Sequence, residues 1–205
     1  MIKVYPAILT DDIQDFKEKL GKVKFAKCIQ IDIMDGRFVR NKSITAKDLK
    51  KIKINKKVEY HLMIQNPEEK IDEFLSLRPY SIIFHYEACK KIDYLIGKIK
   101  SRKIRVGLAI NPETKVEKIS PYLKKIDSVL IMTVHPGFSG GKFIQSSLHK
   151  IKKLRKKTKI PIEVDGHIDD KTSKLVKNAG ANVLISSTYI FKNNPEQAYL
   201  RLLKQ

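Results

Sequence analysis

Residues 28–34 read CIQIDIM and residues 58–64 read VEYHLMI. Both alternate with period two, the repeat of a β-strand whose successive side chains point to opposite faces. In the first, Ile29, Ile31 and Ile33 share one face, and Gln30, Asp32 and Met34 share the other. In the second, Val58, Tyr60, Leu62 and Ile64 form the apolar face and leave Glu59, His61 and Met63 opposite. The stretch IEVD at 162–165 repeats the pattern, with Ile162 and Val164 one way and Glu163 and Asp165 the other. One face is aliphatic and needs helices over it. The other carries carboxylates, a histidine and methionines, and needs a shared interior. A ring of strands provides both.

Outward from these stretches the chain alternates β-branched runs with amphipathic, Lys/Glu-rich ones. Strands are expected near Val4–Leu9, Cys28–Met34, Val58–Ile64, Ser81–His85, Arg105–Ile110, Ser128–Thr133, Ile162–Asp165 and Val183–Ser186. Helices are expected near Asp12–Leu20, Ala46–Ile52, Pro67–Leu77, Lys90–Ser101, Val116–Lys124, Ile144–Lys156, Asp170–Asn178 and Pro195–Lys204. Thr10-Asp11-Asp12, Asn66-Pro67-Glu68 and Asp169-Asp170 are helix-start signals. Eight βα units without a break in composition predict an α/β fold, a (β/α)8 TIM barrel in one compact domain over residues 1–205. The alternative, an open doubly wound sheet, carries a glycine-rich first turn, and here that turn is Leu9-Thr10-Asp11.

Hydrophobic content of 42% and charged content of 31% describe a globular chain rather than a disordered one. No apolar run reaches the roughly 18 residues of a membrane helix. The opening MIKVYPAILT reads as a strand rather than a signal peptide, so a cytoplasmic location is expected. Two cysteines, Cys28 and Cys89, are expected as reduced thiols. The formal charge of +20 is carried by lysine on nearly every expected helix, densest in Lys150–Lys159. No arginine cluster with interleaved aromatics accompanies it, nor helix-turn-helix or zinc-finger spacing. These lysines read as solvated helix faces that attract anionic metabolites, with no specific nucleic acid or membrane partner.

Strand parity brings Asp32, His61 and Asp165 together at the C-terminal mouth of the ring, with Met132 in the same inner layer. Strands two and seven lie three places apart, so their carboxylates reach a small substrate from different sides. Singly, each residue has a plainer meaning. Asp-Gly at 35–36 and 165–166 is also turn chemistry, and an inward histidine is commonly a core residue. Three such groups at one level are costly to bury without a purpose.

PAILTDD (6–12), IQIDIMDGRFVRN (29–41), HLMIQNPE (61–68), VGLAINPET (106–114), VLIMTVHPGFSGGKF (129–143), IEVDG (162–166) and NAGANVLISSTYIF (178–191) follow in one order along the chain. Together they resemble the successive landmarks of ribulose-phosphate 3-epimerases. The resemblance implies the same barrel and inversion of carbon 3 of D-ribulose 5-phosphate to give D-xylulose 5-phosphate through an enediolate. It puts the two acid/base roles on Asp32 and Asp165. It implies a divalent metal (zinc, iron, manganese or magnesium) held by Asp32, His61, Asp165 and, in fourth position, Gln30. Met34, Met63 and Met132 match a methionine layer beside the intermediate. Gly137-Phe138-Ser139-Gly140, Gly166-His167 and Ser187-Thr188 match the phosphate grip, where backbone N–H groups and a helix N-terminus after the eighth strand meet the anion.

Five positions depart from the family pattern. Gln30 replaces a histidine, a neutral hard donor that moves preference from zinc toward magnesium or manganese. Ala7 stands where a substrate-contacting serine is expected, a hydroxyl worth about 0.5–1.5 kcal/mol. His167 replaces a second glycine, and Ser187-Thr188 replace Gly-Ser, adding side chains where close backbone approach is expected. Such changes suit either a hexulose 6-phosphate such as allulose 6-phosphate or a non-catalytic barrel that binds a sugar phosphate. His85, in FHYEA, is expected inward or at a strand end, beside the site. Homo-oligomerisation is left open.

Overall fold

The structure, a computed structural model, describes residues 1–137 and 140–204. Its strands are β1 (Lys3–Ile8), β2 (Cys28–Met34), β3 (Lys57–Met63), β4 (Ser81–His85), β5 (Arg105–Ile110), β6 (Ser128–Met132), β7 (Ile162–Asp165) and β8 (Val183–Ser186). All pair in parallel in chain order, and β8 closes on β1. Around them run α1 (Ile13–Lys22), α2 (Ala46–Leu49), α3 (Pro67–Leu75), α4 (Ile92–Ser101), α5 (Ser147–Lys157), α6 (Thr172–Ala179), α7 (Thr188–Lys192) and α8 (Pro195–Lys204). This is the (β/α)8 barrel that the alternation predicts. Among the described residues, no helix is long and apolar enough to cross a membrane. Cys28 and Cys89 are both free and buried.

The parity reading holds strand by strand. Ile29, Ile31, Ile33, Tyr60, Leu62, Ile162 and Val164 belong to one apolar layer between sheet and helices. Tyr5, Ala7, Ile83, Leu130, Met132 and Ile185 form a second, separate layer inside the ring. Fully burying an aliphatic side chain contributes about 1.5–3 kcal/mol, so the outer layer is where the barrel gains most of its stability. Gly107 of β5 sits where the interior is closely packed. A Cβ there would lie 2.7 Å from both Ile83 Cγ1 and Ser128 Oγ, so no larger residue fits.

Helix ends depart from the sequence reading where local hydrogen bonds overrule periodicity. Asp12 caps α1, its carboxylate accepting from Asp15 N–H at 2.7 Å. The expected helix Val116–Lys124 is a 3-10 helix over Val116–Tyr122, for Pro121 removes a donor from its interior. The expected Ile144–Lys156 begins only at Ser147, for Ser147, Leu148 and His149 N–H bond three residues back, to Ile144, Gln145 and Ser146, in turns rather than α-helix. Helix α7, five residues directly after β8, is an addition.

The ring's lower interior is polar. Glu59 on β3 and Glu163 on β7 enter from strands four places apart, directly across the axis, and lie within hydrogen-bonding reach of each other. Burial raises the pKa of both. The Glu163 charge raises Glu59 further, well above the usual carboxylate range, while bonds from Glu59 and Ser128 favour ionised Glu163. The two carboxyls thus hold a proton between them. Because the folded pKa of Glu59 is raised, its contribution is full below the ordinary glutamate range and is lost as pH climbs through the raised value. Glu59→Gln, which keeps a donor but cannot ionise, should retain the fold and flatten that fall. Glu59→Ala leaves Glu163 unpaired and should cost about 3 kcal/mol. Urea unfolding at a series of pH values checks both.

Candidate functional site

Asp32, His61 and Asp165 come from the C-terminal halves of β2, β3 and β7. Register does the positioning: Asp32 lies beside His61, Met34 beside Met63, and Met132 beside Asp165. One ligand atom from each of Asp32, His61 and Asp165 falls within 4.8 Å of the others, a group that could hold a metal ion. His61 is fully buried, its Nδ1 3.1 Å from Asp32 Oδ1 and 3.4 Å from Asp165 Oδ2. Gln30 spans the same two carboxylates from below, its Nε2 donating to Asp32 Oδ1 at 2.9 Å and Asp165 Oδ2 at 3.0 Å.

Electrostatics follow from this packing. Burial pushes the Asp32 carboxyl up, His61 opposing and the Asp165 charge adding to the rise. Burial alone would lower His61, but bonds and charges from Asp165 and Asp32 outweigh it and push it up to about 9. The two carboxylates thus favour a protonated imidazole between them. Next to it, burial carries His85 below the ordinary histidine range.

Above the carboxylates opens a cavity of about 400 Å³. Asp32, Asp165, Met34, Met63 and Met132 line its floor, and Gly137, Gly140, Gly166, His167, Ser187 and Thr188 its rim. Ala7, Gln30 and His61 are not on its wall. They are fully buried beneath it. Phe138 and Ser139 lie outside the described residues. The loop after β2 folds over the methionines, with Val39 packed against Met34 and Met63. Asn41 Nδ2 donates to Gly137 O at 2.7 Å, tying that loop to the one after β6.

His167 adopts φ +53°, the left-handed conformation a glycine would take, and its Nδ1 donates to Gly141 O at 2.9 Å. The ring thus fastens the loop after β7 to the loop after β6. Sequence reasoning missed Lys192, the one lysine or arginine among the described residues lining the cavity. It sits on α7, whose start after β8 the resemblance implies but whose reach to Lys192 the sequence reading did not place.

The chain matches the model of the Ribulose-phosphate 3 epimerase family over residues 3–191. It is 36% identical over 201 residues to the ribulose-phosphate 3-epimerase of Bacillus subtilis, covering 93% of each chain. It is 36% identical over 215 residues to that of Methanocaldococcus jannaschii, covering 100% of this chain and 91% of the relative. Among solved structures, 3-hexulose-6-phosphate synthase from Salmonella typhimurium superposes with a TM-score of 0.73 at 18% identity, over 99% of this chain and 97% of that one. That likeness concerns the fold alone.

Gly166, at φ +118°, leaves no room for a side chain: a Cβ would lie 2.6 Å from Val134 Cγ2 and 2.8 Å from its backbone nitrogen. Backbone strain and overpacking each cost about 1–3 kcal/mol, so Gly166→Ala should destabilise by about 2–4 kcal/mol. The denaturant midpoint measures it, and an unchanged midpoint would mean that β6 and β7 are free to part.

Proposed function

Because the chain belongs to the ribulose-phosphate 3-epimerase family, we propose that it converts D-ribulose 5-phosphate to D-xylulose 5-phosphate. The observation that carries the reading is the pair Asp32 and Asp165. They enter the floor of one cavity from strands three places apart, under a rim of glycines and hydroxyls. Inversion at carbon needs a group on each face, one to take a proton and one to give it. One aspartate removes the carbon 3 proton, the bonding electrons moving toward the ketone to give an enediolate. The other, protonated, then delivers its proton to the opposite face of carbon 3.

The donor set suits a divalent cation. Gln30 Oε1 is buried without a partner among the described residues. Rotating the amide end over would aim that oxygen at the carboxylates, an arrangement favourable only around a positive charge. Asp32, His61, Asp165 and Gln30 would then hold the ion, a set of three oxygens and one nitrogen that suits manganese, magnesium or iron better than zinc. A bound ion would supply Lewis-acid stabilisation of the enediolate oxygens. Met34, Met63 and Met132 exclude water from the reacting carbons with an adaptable apolar surface. Gly137, Gly140 and Gly166, with the Ser187 and Thr188 hydroxyls and the Lys192 ammonium, form the end of the cavity suited to phosphate.

Incubation with ribulose 5-phosphate in deuterium oxide should place deuterium at carbon 3. Asp165→Asn should slow exchange and inversion by at least about 100-fold while the barrel stays folded. Absence of exchange in the wild-type protein supplied in turn with zinc, manganese, iron and magnesium would leave only a sugar-phosphate-binding role. The same assay on allulose 6-phosphate tests the hexulose alternative.

A further inference from the structure

We propose that the end of the barrel opposite the cavity binds single-stranded nucleic acid through its phosphate backbone, without reading base sequence. The sequence spreads lysine over nearly every helix, but the fold gathers the excess of the +20 charge at one end. Residues 23–27, 50–56, 76–80, 102–104, 123–127, 158–161 and 180–182 run from a helix to the next strand, and in a parallel barrel all lie at the N-terminal end of the strands. They carry twelve lysines and arginines against one acid, Asp127. At the cavity end, residues 9–12, 35–45, 64–66, 86–91, 111–115, 133–137, 140–146, 166–171 and 187 carry eight against seven. A lysine-rich composition alone would load both ends alike.

Eleven of the twelve cations are exposed, and Lys56 is half-buried. Among the described residues only Lys125 has an acidic partner, Asp93 at 2.7 Å. Like charges gathered this closely repel one another, a cost that a bound polyanion removes. Two of them also occupy backbone positions that favour glycine. Arg78 at φ +49° and Lys103 at φ +57° are left-handed, whereas the turn after α6 uses Gly180 at φ +112°. A cation thus stands where glycine would sit at less cost. A cleft of about 320 Å³ opens on this face, lined by Lys50, Lys56, Arg78 and Tyr80. Lys57 and Arg105, at 4.8 Å and 5.5 Å from the Tyr80 ring centroid, bring two more cations to its edge. Cations around a cleft with an aromatic wall suit a flexible phosphate backbone. Other anionic partners fit less well. The exposed large apolar side chains are Met1, Tyr94, Leu175 and Leu200, and none lies in these segments to insert into a lipid bilayer. Protein interfaces deplete lysine at their centre, the reverse of this face.

Anisotropy of a fluorescein-labelled oligouridylate, followed across a potassium chloride series, measures the binding. Log affinity should fall linearly with log salt, with a slope of about −0.7 for each phosphate contacted and roughly three or more phosphates in all. Lys51→Glu, Lys53→Glu, Arg102→Glu and Lys103→Glu combined should weaken binding at low salt by at least about tenfold. The same number of reversals at the cavity end, Lys90→Glu, Lys91→Glu, Lys115→Glu and Lys171→Glu, gives a protein of identical net charge. That variant should stay within about threefold of wild type. Lysine acetylation of the wild-type protein, read by mass spectrometry, does not depend on any variant folding. Bound RNA should shield Lys51, Lys53 and Lys103 and leave Lys90, Lys115 and Lys171 reactive. No binding at low salt, equal weakening by the two sets, or shielding at both ends alike overturns the proposal. Sedimentation with phosphatidylserine-containing vesicles at a salt concentration that releases the RNA also overturns it, and assigns the face to a membrane surface instead.

Discussion

Inside a closed ring of eight strands every second side chain has nowhere to go but the axis. A polar group there meets no solvent, so it must be matched by another from elsewhere on the ring or remain unsatisfied at a cost of several kcal/mol. This constraint organises the molecule. At the lower level Glu59 meets Glu163 across the full width of the barrel. One level up, Gln30 and His61 insert two nitrogen donors between Asp32 and Asp165. Above that the interior turns to methionine and opens into the cavity. Each level is a small charge balance closed by residues far apart in sequence, and the aliphatic shell outside holds the ring at the diameter those balances need.

The same constraint separates the parts that are rigid from the parts that carry specificity. The carboxylates and His61 sit on strands whose register is fixed by main-chain pairing. The rim is made of loops, fastened to the ring through Ser43 and Thr133 and to one another through Asn41–Gly137 and His167–Gly141. A reaction needing two proton-transfer groups at fixed spacing is well served by the former. The loops tolerate a side chain such as His167 at a left-handed position because its ring finds a carbonyl to bind.

Much of this was legible before any coordinates. Period-two alternation in CIQIDIM, VEYHLMI and IEVD depends only on strand geometry, and the faces read from it are the faces found. The convergence of Asp32, His61 and Asp165 follows from parity plus ring closure. What could not be read is set by partners distant in sequence or by single backbone hydrogen bonds. The delayed start of α5 comes from turns that bond three residues back, Ser147 to Ile144 first, and the tight turns of Val116–Tyr122 from one proline among several permissive residues. That Gln30 reaches a carboxylate 135 positions away is invisible to any local rule.

Gln30 carries a further consequence. An amide is the one side-chain end that can exchange a donor for an acceptor by a half-turn, with almost no change in shape. A histidine in its place, crowded between two carboxylates, would have to gain or lose a proton to do the same. With the NH2 directed at Asp32 and Asp165, the two carboxylates are met by protein donors. The ion proposed for this site would then have only to turn one amide and displace one proton.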